Sequence, residues 1–104
     1  MLLKAGVSIR GLNYEIRRSL TLMHAWAEGL SEEMVVISTN EGHHKAGALH
    51  YCGDAYDIRR PALADGDEAQ RVRKLLGPDF QVVVYIDVIH IEYNPNARNV
   101  NRRP

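Results

Sequence analysis

A short alternating segment near the C-terminus constrains the fold most strongly. Over residues 89–93, isoleucines alternate with a histidine and a glutamate, which is the two-residue period of a β-strand. His90 and Glu92 then share one face of the strand, and the isoleucines share the other. The apolar, β-branched run at residues 80–86 predicts a strand just before it. The chain must therefore build a sheet with one apolar face and one polar face.

The other elements follow from periodicity. Apolar residues recur at three- and four-residue steps over residues 13–28, which predicts a helix packed on the core. A shorter helix is predicted over residues 68–76, because apolar residues again fall on one helix face and a glycine and a proline end the segment. Short apolar runs predict strands at residues 34–38 and 55–58, and residues 7–10 alternate weakly, as in a short strand. This order predicts an α+β fold, a small, mostly antiparallel sheet with helices packed on one side.

The length of 104 residues predicts one domain, and the composition narrows the classes of function. Thirteen basic residues balance thirteen acidic ones among 104, so net charge indicates no nucleic-acid partner. Cys52 is the one cysteine, which excludes an intrachain disulfide. No apolar run approaches the roughly 20 residues that span a bilayer, and we expect no signal peptide, no membrane insertion and synthesis in the cytoplasm. We predict a single domain at residues 1–94 and a flexible polar tail at residues 95–104.

Residues suited to metal binding are concentrated in two segments. His50 and Asp57 are seven positions apart in a histidine-rich loop and the strand after it, and His90 lies on the later strand. Imidazole and carboxylate are good zinc ligands, and a catalytic zinc typically has three protein ligands and one open position. The three residues are therefore candidate zinc ligands, although this spacing alone is a weak signal because histidine is common outside metal sites.

Two more residues are candidates for catalysis. Asp87 lies three positions before His90, and a carboxylate just outside a ligand set can act as a general base. His44 lies in the loop before His50 and could stabilise an oxyanion. Glu92 shares a strand face with His90. It could hydrogen-bond the second ring nitrogen of that histidine, or form an ordinary surface ion pair.

Both segments resemble signatures of one superfamily. Residues 50–57 are similar to the SxHxxGxAxD signature of the zinc D-Ala-D-Ala carboxypeptidases and L-Ala-D-Glu endopeptidases, a group that includes phage endolysins and the hedgehog signalling domain. Residues 87–93 are similar to the second signature, an acid followed three positions later by histidine and then by an apolar residue and glutamate. The signatures occur in the family's order, and the matched region spans residues 34–93.

The resemblance implies a hedgehog/D-Ala-D-Ala peptidase-like fold and a Zn²⁺ cofactor. It implies that His50, Asp57 and His90 are the zinc ligands, that Asp87 is the general base, and that His44 stands beside the zinc. The implied reaction is hydrolysis of a peptide bond by metal-activated water, and the implied substrate is a peptidoglycan stem peptide, as for an endolysin. Tyr51 and His43 are further candidates for lining the cleft, although a loop histidine such as His43 usually faces water.

Three positions depart from the family's pattern. Ala48 stands where the first signature has serine, and Val88 stands where many members carry a second histidine. Peptidase members usually carry an upstream arginine that polarises the substrate carbonyl, and no arginine lies between Arg18 and Arg59. Ala48 and the missing arginine favour an alternative function, that of a non-catalytic, zinc-stabilised binding module. A further alternative is a phage structural or tail component with a peptidase-like fold.

Overall fold

The computed structural model describes residues 1–39, 54–62 and 66–95 of the chain. These residues form two helices and five strands, which confirms the predicted α+β class. In chain order the elements are β1 (Leu2–Leu3), α1 (Tyr14–Gly29), β2 (Val35–Ser38), β3 (Ala55–Arg59), α2 (Glu68–Leu76), β4 (Phe80–Val84) and β5 (Val88–Tyr93).

The strands form one mixed sheet in the order β1-β2-β3-β5-β4. The β1–β2 pair is parallel and the other three pairs are antiparallel. Strand β5 thus lies between β3 and β4, although β4 and helix α2 separate it from β3 in the chain. This order brings the strand that carries His90 against the strand that carries Asp57.

One face of the sheet, the core face, packs against both helices. Side chains from α1, from α2 and from alternate positions of the inner strands form a single buried cluster, which includes Ile16, Met23, Ile58, Val72, Ile89 and Ile91. Each of these six is at most 1% exposed. Because side chains alternate along a strand, the residues between them on β3 and β5 point to the opposite face, which we call the polar face.

A buried pair of hydroxyl groups ties β3 to α1 within this core. The Tyr56 hydroxyl lies 2.9 Å from Ser19 Oγ, and Ser19 Oγ donates to the Ile16 carbonyl at 2.6 Å. Because a serine hydroxyl has only one proton to donate, Tyr56 is the donor to Ser19. Burial raises the pKa of Tyr56 well above its ordinary value, so the hydroxyl keeps this proton.

Two sequence-based expectations about strands are wrong. Residues 7–10 include a bend and a turn but no strand. The first strand of the chain is β1, at one edge of the sheet, where the Leu2 N–H donates to the Met34 carbonyl at 2.7 Å. Strand β4 ends at Val84, short of residue 86. The Tyr85 N–H donates to the Val88 carbonyl at 2.7 Å and closes a tight turn over residues 85–88, which we call the hairpin tip.

Candidate metal centre

Three ionisable side chains meet on the polar face. Asp57 on β3 is directly opposite His90 on β5, and Glu92 is two positions further along β5. The alternation that buries the isoleucines of β5 puts both His90 and Glu92 on this face. Each of the three side chains is about one-fifth exposed. The register of a single strand pair therefore assembles the cluster.

Each ring nitrogen of His90 contacts a carboxylate. Nδ1 lies 2.7 Å from Asp57 Oδ1, and Nε2 lies 2.8 Å from Glu92 Oε1. The hydrogen bond to Asp57 is the main cause of a raised pKa for His90. Partial burial opposes the rise, and the hydrogen bond to Glu92 and the charges of both carboxylates add to it. Without a metal, the ring is thus stabilised as an imidazolium ion that donates from both nitrogens.

The geometry of Asp57 and His90 suits two ligands of one zinc ion. With bonds of roughly 2.0 Å in a tetrahedral arrangement, two ligand atoms lie roughly 3.3 Å apart. His90 Nδ1 and Asp57 Oδ1 are 2.7 Å apart, so they would need to separate by only about 0.6 Å to bind such an ion. Nε2–H would keep its bond to Glu92, the carboxylate contact that commonly orients a metal-bound histidine.

Asp57, His90 and Glu92 do not by themselves form a complete ligand set. Asp57 contacts Nδ1 and Glu92 contacts Nε2, which are different edges of the imidazole ring. Accordingly, no group of three or more histidine, cysteine, aspartate or glutamate residues that could hold a metal is found within residues 1–39, 54–62 and 66–95. Four of the predicted site residues lie outside those ranges, namely His43, His44, His50 and Tyr51.

Asp87, the predicted general base, lies at the hairpin tip and is exposed. Its carbonyl oxygen accepts a hydrogen bond from the Arg60 N–H at 3.0 Å. Along β5, Asp87 is on the opposite side of His90 from Glu92. The described hydrogen bonds of His90 are to the carboxylates of Asp57 and Glu92, so the role of Asp87 stays a prediction.

Two other residues near the cluster, Arg59 and Val83, were not among the predicted site residues. Arg59 is two positions after Asp57 on β3 and pairs with Val88, so alternation puts its guanidinium on the polar face. Val83 on β4 pairs with His90 and is 41% exposed. The signal for Arg59 was available, because residues two apart on a strand share a face. The pairing of Val83 with His90 depends on a register that no local pattern indicates.

The described structure is an α+β domain with a half-buried cluster of one histidine and two carboxylates on the polar face of its sheet. Comparisons with protein-family models, curated proteins and solved structures find no match to this chain. The resemblance to zinc peptidases thus rests on the two sequence signatures. Among the described residues, neither helix combines the length and apolar character that a membrane span needs.

Proposed function

We propose that this protein is a zinc-dependent peptidase that cleaves a peptide bond in peptidoglycan stem peptides. One observation carries the proposal. Asp57 and His90 were predicted from separate signatures to bind the same ion, and they are 33 positions apart in sequence. Their side chains meet at 2.7 Å across two adjacent strands.

The donor set suits zinc, which binds imidazole nitrogen and carboxylate oxygen. His50 would complete the ligand set of Asp57 and His90. Glu92 would accept the Nε2–H of His90 and so keep Nδ1 free of a proton and directed at the ion. A zinc ion held there would supply Lewis-acid chemistry to a peptide carbonyl and to an attacking water.

The chain's own residues would then handle the protons of the reaction. The carboxylate of Asp87 would accept a proton as the water oxygen bonds to the carbonyl carbon. The same carboxylate would pass that proton to the amine nitrogen as the carbon–nitrogen bond breaks. His44 would donate a hydrogen bond to the carbonyl oxygen while it carries negative charge. We extend the proposal to the fold, as a hedgehog/D-Ala-D-Ala peptidase-like arrangement of the sheet and two helices.

Metal content is the first test. Wild-type protein prepared without chelators should hold about one zinc per chain, and His90→Ala and His50→Ala should lose it. His24→Ala is a matched control, because His24 pairs with Glu28 on α1, at 2.7 Å, and is not a predicted ligand. Less than about half an equivalent of zinc in the wild type would overturn the proposal.

Turnover of muropeptides tests the reaction itself. The zinc-loaded wild type should release a new amine from a stem peptide, and Asp87→Ala should abolish that release while keeping its zinc. Full activity in Asp87→Ala would remove this residue from the mechanism and leave the metal site intact.

One observation favours a non-catalytic zinc module as a second candidate. The predicted base, Asp87, is exposed at the hairpin tip, whereas the carboxylates of Asp57 and Glu92 both contact His90. A zinc-loaded wild type that cleaves no muropeptide but binds a protein partner or a phage particle would favour this candidate over the peptidase.

A further inference from the structure

We infer that Arg60 and Glu68 form a positioning pair that holds the hairpin tip and sets where Asp87 stands relative to His90. The inference deepens the proposed function and rests on it. Neither residue belongs to the sequence signatures, and neither touches the Asp57–His90–Glu92 cluster in the hydrogen bonds of the described structure.

Glu68 is a buried acid at the start of α2. The residue is 1% exposed, and its Oε1 accepts a hydrogen bond from Arg60 Nε. Its Oε2 is buried and has no hydrogen-bond partner among the described residues. A buried carboxylate destabilises the fold unless a cation compensates its charge. The guanidinium of Arg60 provides that compensation for Glu68. The pair fixes the guanidinium of Arg60 against the first turn of the helix.

Arg60 also contacts both central residues of the hairpin tip. Its backbone N–H donates to the Asp87 carbonyl at 3.0 Å, and Nη1 lies 3.5 Å from the Ile86 carbonyl, a long contact. Ile86 is 90% exposed and Tyr85 is 56% exposed, so packing contributes little to holding the tip. Arg60 therefore connects the tip to the buried Glu68 in the first turn of α2.

The position of this connection gives it a consequence for chemistry. Strand β5 fixes His90 between β3 and β4, but Asp87 lies one residue before the strand, where the backbone hydrogen bond from Arg60 holds its carbonyl. A general base must stay within hydrogen-bond reach of the proton it takes, and a misplacement of about 1 Å can cost about 100-fold in rate. Holding the two carbonyls of the tip limits how far Asp87 can move.

A second arginine supplies a matched control. Arg73 on α2 also reaches the hairpin, since its Nη2 donates to the Val82 carbonyl at 2.8 Å. That carbonyl lies in the middle of β4, away from the tip. Arg60→Gln and Arg73→Gln thus each remove one guanidinium between the same helix and the same hairpin, and they differ in which part of the hairpin loses its contact.

Amide hydrogen exchange on the zinc-loaded full chain tests whether Arg60 and Glu68 hold the hairpin tip. In Arg60→Gln, the amides of residues 60 and 85 should exchange about tenfold faster than in the wild type, because both close hydrogen bonds at the tip. The amide of Asn94, which bonds the Asp79 carbonyl at 2.8 Å at the other end of the hairpin, should keep its rate. Arg73→Gln should leave residues 60 and 85 unchanged. Equal exchange at the tip in both variants would overturn the pair's role.

Steady-state kinetics test whether holding the tip positions Asp87 for catalysis. Arg60→Gln should lower kcat about tenfold with KM and zinc content unchanged, while Arg73→Gln stays within about twofold of the wild type. Arg60→Lys should recover part of kcat, because an ammonium can pair with Glu68 but cannot also reach the Ile86 carbonyl with a second nitrogen. Equal losses of kcat in Arg60→Gln and Arg73→Gln would contradict the inference.

Hydrogen exchange and kinetics together distinguish failure of this inference from failure of the proposed function. If the zinc-loaded wild type cleaves no peptide, the exchange comparison still decides whether Arg60 and Glu68 hold the tip. If Arg60→Gln does not fold, Glu68→Gln and Arg60→Lys carry the same comparison. In these variants, wild-type exchange at residue 85 together with wild-type kcat would rule the pair out.

Discussion

The two faces of the β3–β5 ladder are built by the same backbone and serve different ends. On the core face, Ile58 of β3 is opposite Ile89 of β5, and each is at most 1% exposed. One position along, on the polar face, Asp57 is opposite His90, and both side chains are about one-fifth exposed. The apolar pair is stabilised by exclusion of water, which needs no ligand. The polar pair is joined by a hydrogen bond between His90 Nδ1 and Asp57 Oδ1. A ligand such as a metal ion would have to replace the proton of that bond.

This difference separates what stabilises the domain from what gives it chemistry. The isoleucines fix the register, because a shift by one residue would expose every one of them. That register in turn fixes which residue faces His90. The contact between Asp57 and His90 is thus a consequence of core packing, and removing it should leave the sheet in place.

Adjacent substitutions on β5 give the largest expected contrast. Ile89→Ala should lower the free energy of unfolding by about 2–5 kcal/mol, because it leaves a cavity in the core. His90→Ala should cost less than about 2 kcal/mol, because the two carboxylates that it frees are partly exposed and can be hydrated. Urea unfolding of the metal-free proteins measures both. Equal costs would show that the polar face carries the fold as well.

Local periodicity was enough to predict several elements. The bounds of α2 were predicted correctly, because its apolar positions recur at helical spacing and Gly77 ends it with a positive φ of 96°. The alternation in β5 correctly separated His90 and Glu92 from the isoleucines. These inferences succeed because each depends on residues that are close together in the chain.

Pairing and turns were harder to predict. The insertion of β5 between β3 and β4 depends on contacts across 33 positions, such as that between Asp57 and His90. The hairpin tip contains no glycine, proline or asparagine, so nothing marked the end of β4 at Val84. The burial of Glu68 could not be predicted from the sequence. A glutamate in the first turn of a helix is usually solvated and interacts favourably with the helix dipole.

A substitution of Glu92, which contacts His90 Nε2, tests whether the polar face binds a metal. Glu92→Gln keeps an oxygen that can accept from His90 Nε2 but removes the charge, so zinc affinity should fall about 10- to 100-fold. Glu28→Gln is the matched control, because Glu28 makes a similar contact with His24, at 2.7 Å on α1. Competition with a chromophoric chelator measures both affinities. Unchanged affinity in Glu92→Gln would make the Glu92–His90 contact an ordinary surface ion pair.

The smallest effect is expected from removing the Tyr56 hydroxyl, which pairs with Ser19 on the core face of β3. Tyr56→Phe should cost about 1 kcal/mol, because Ser19 Oγ keeps its own bond to the Ile16 carbonyl and only one hydrogen bond is lost. Ser19→Ala should cost more, about 1–3 kcal/mol, because the buried Tyr56 hydroxyl then has a proton and no acceptor. Urea unfolding gives this order, and the reverse order would mean that Tyr56 accepts from Ser19. Neither substitution should change zinc affinity, because the core face acts on the polar face only through the register, which both variants keep.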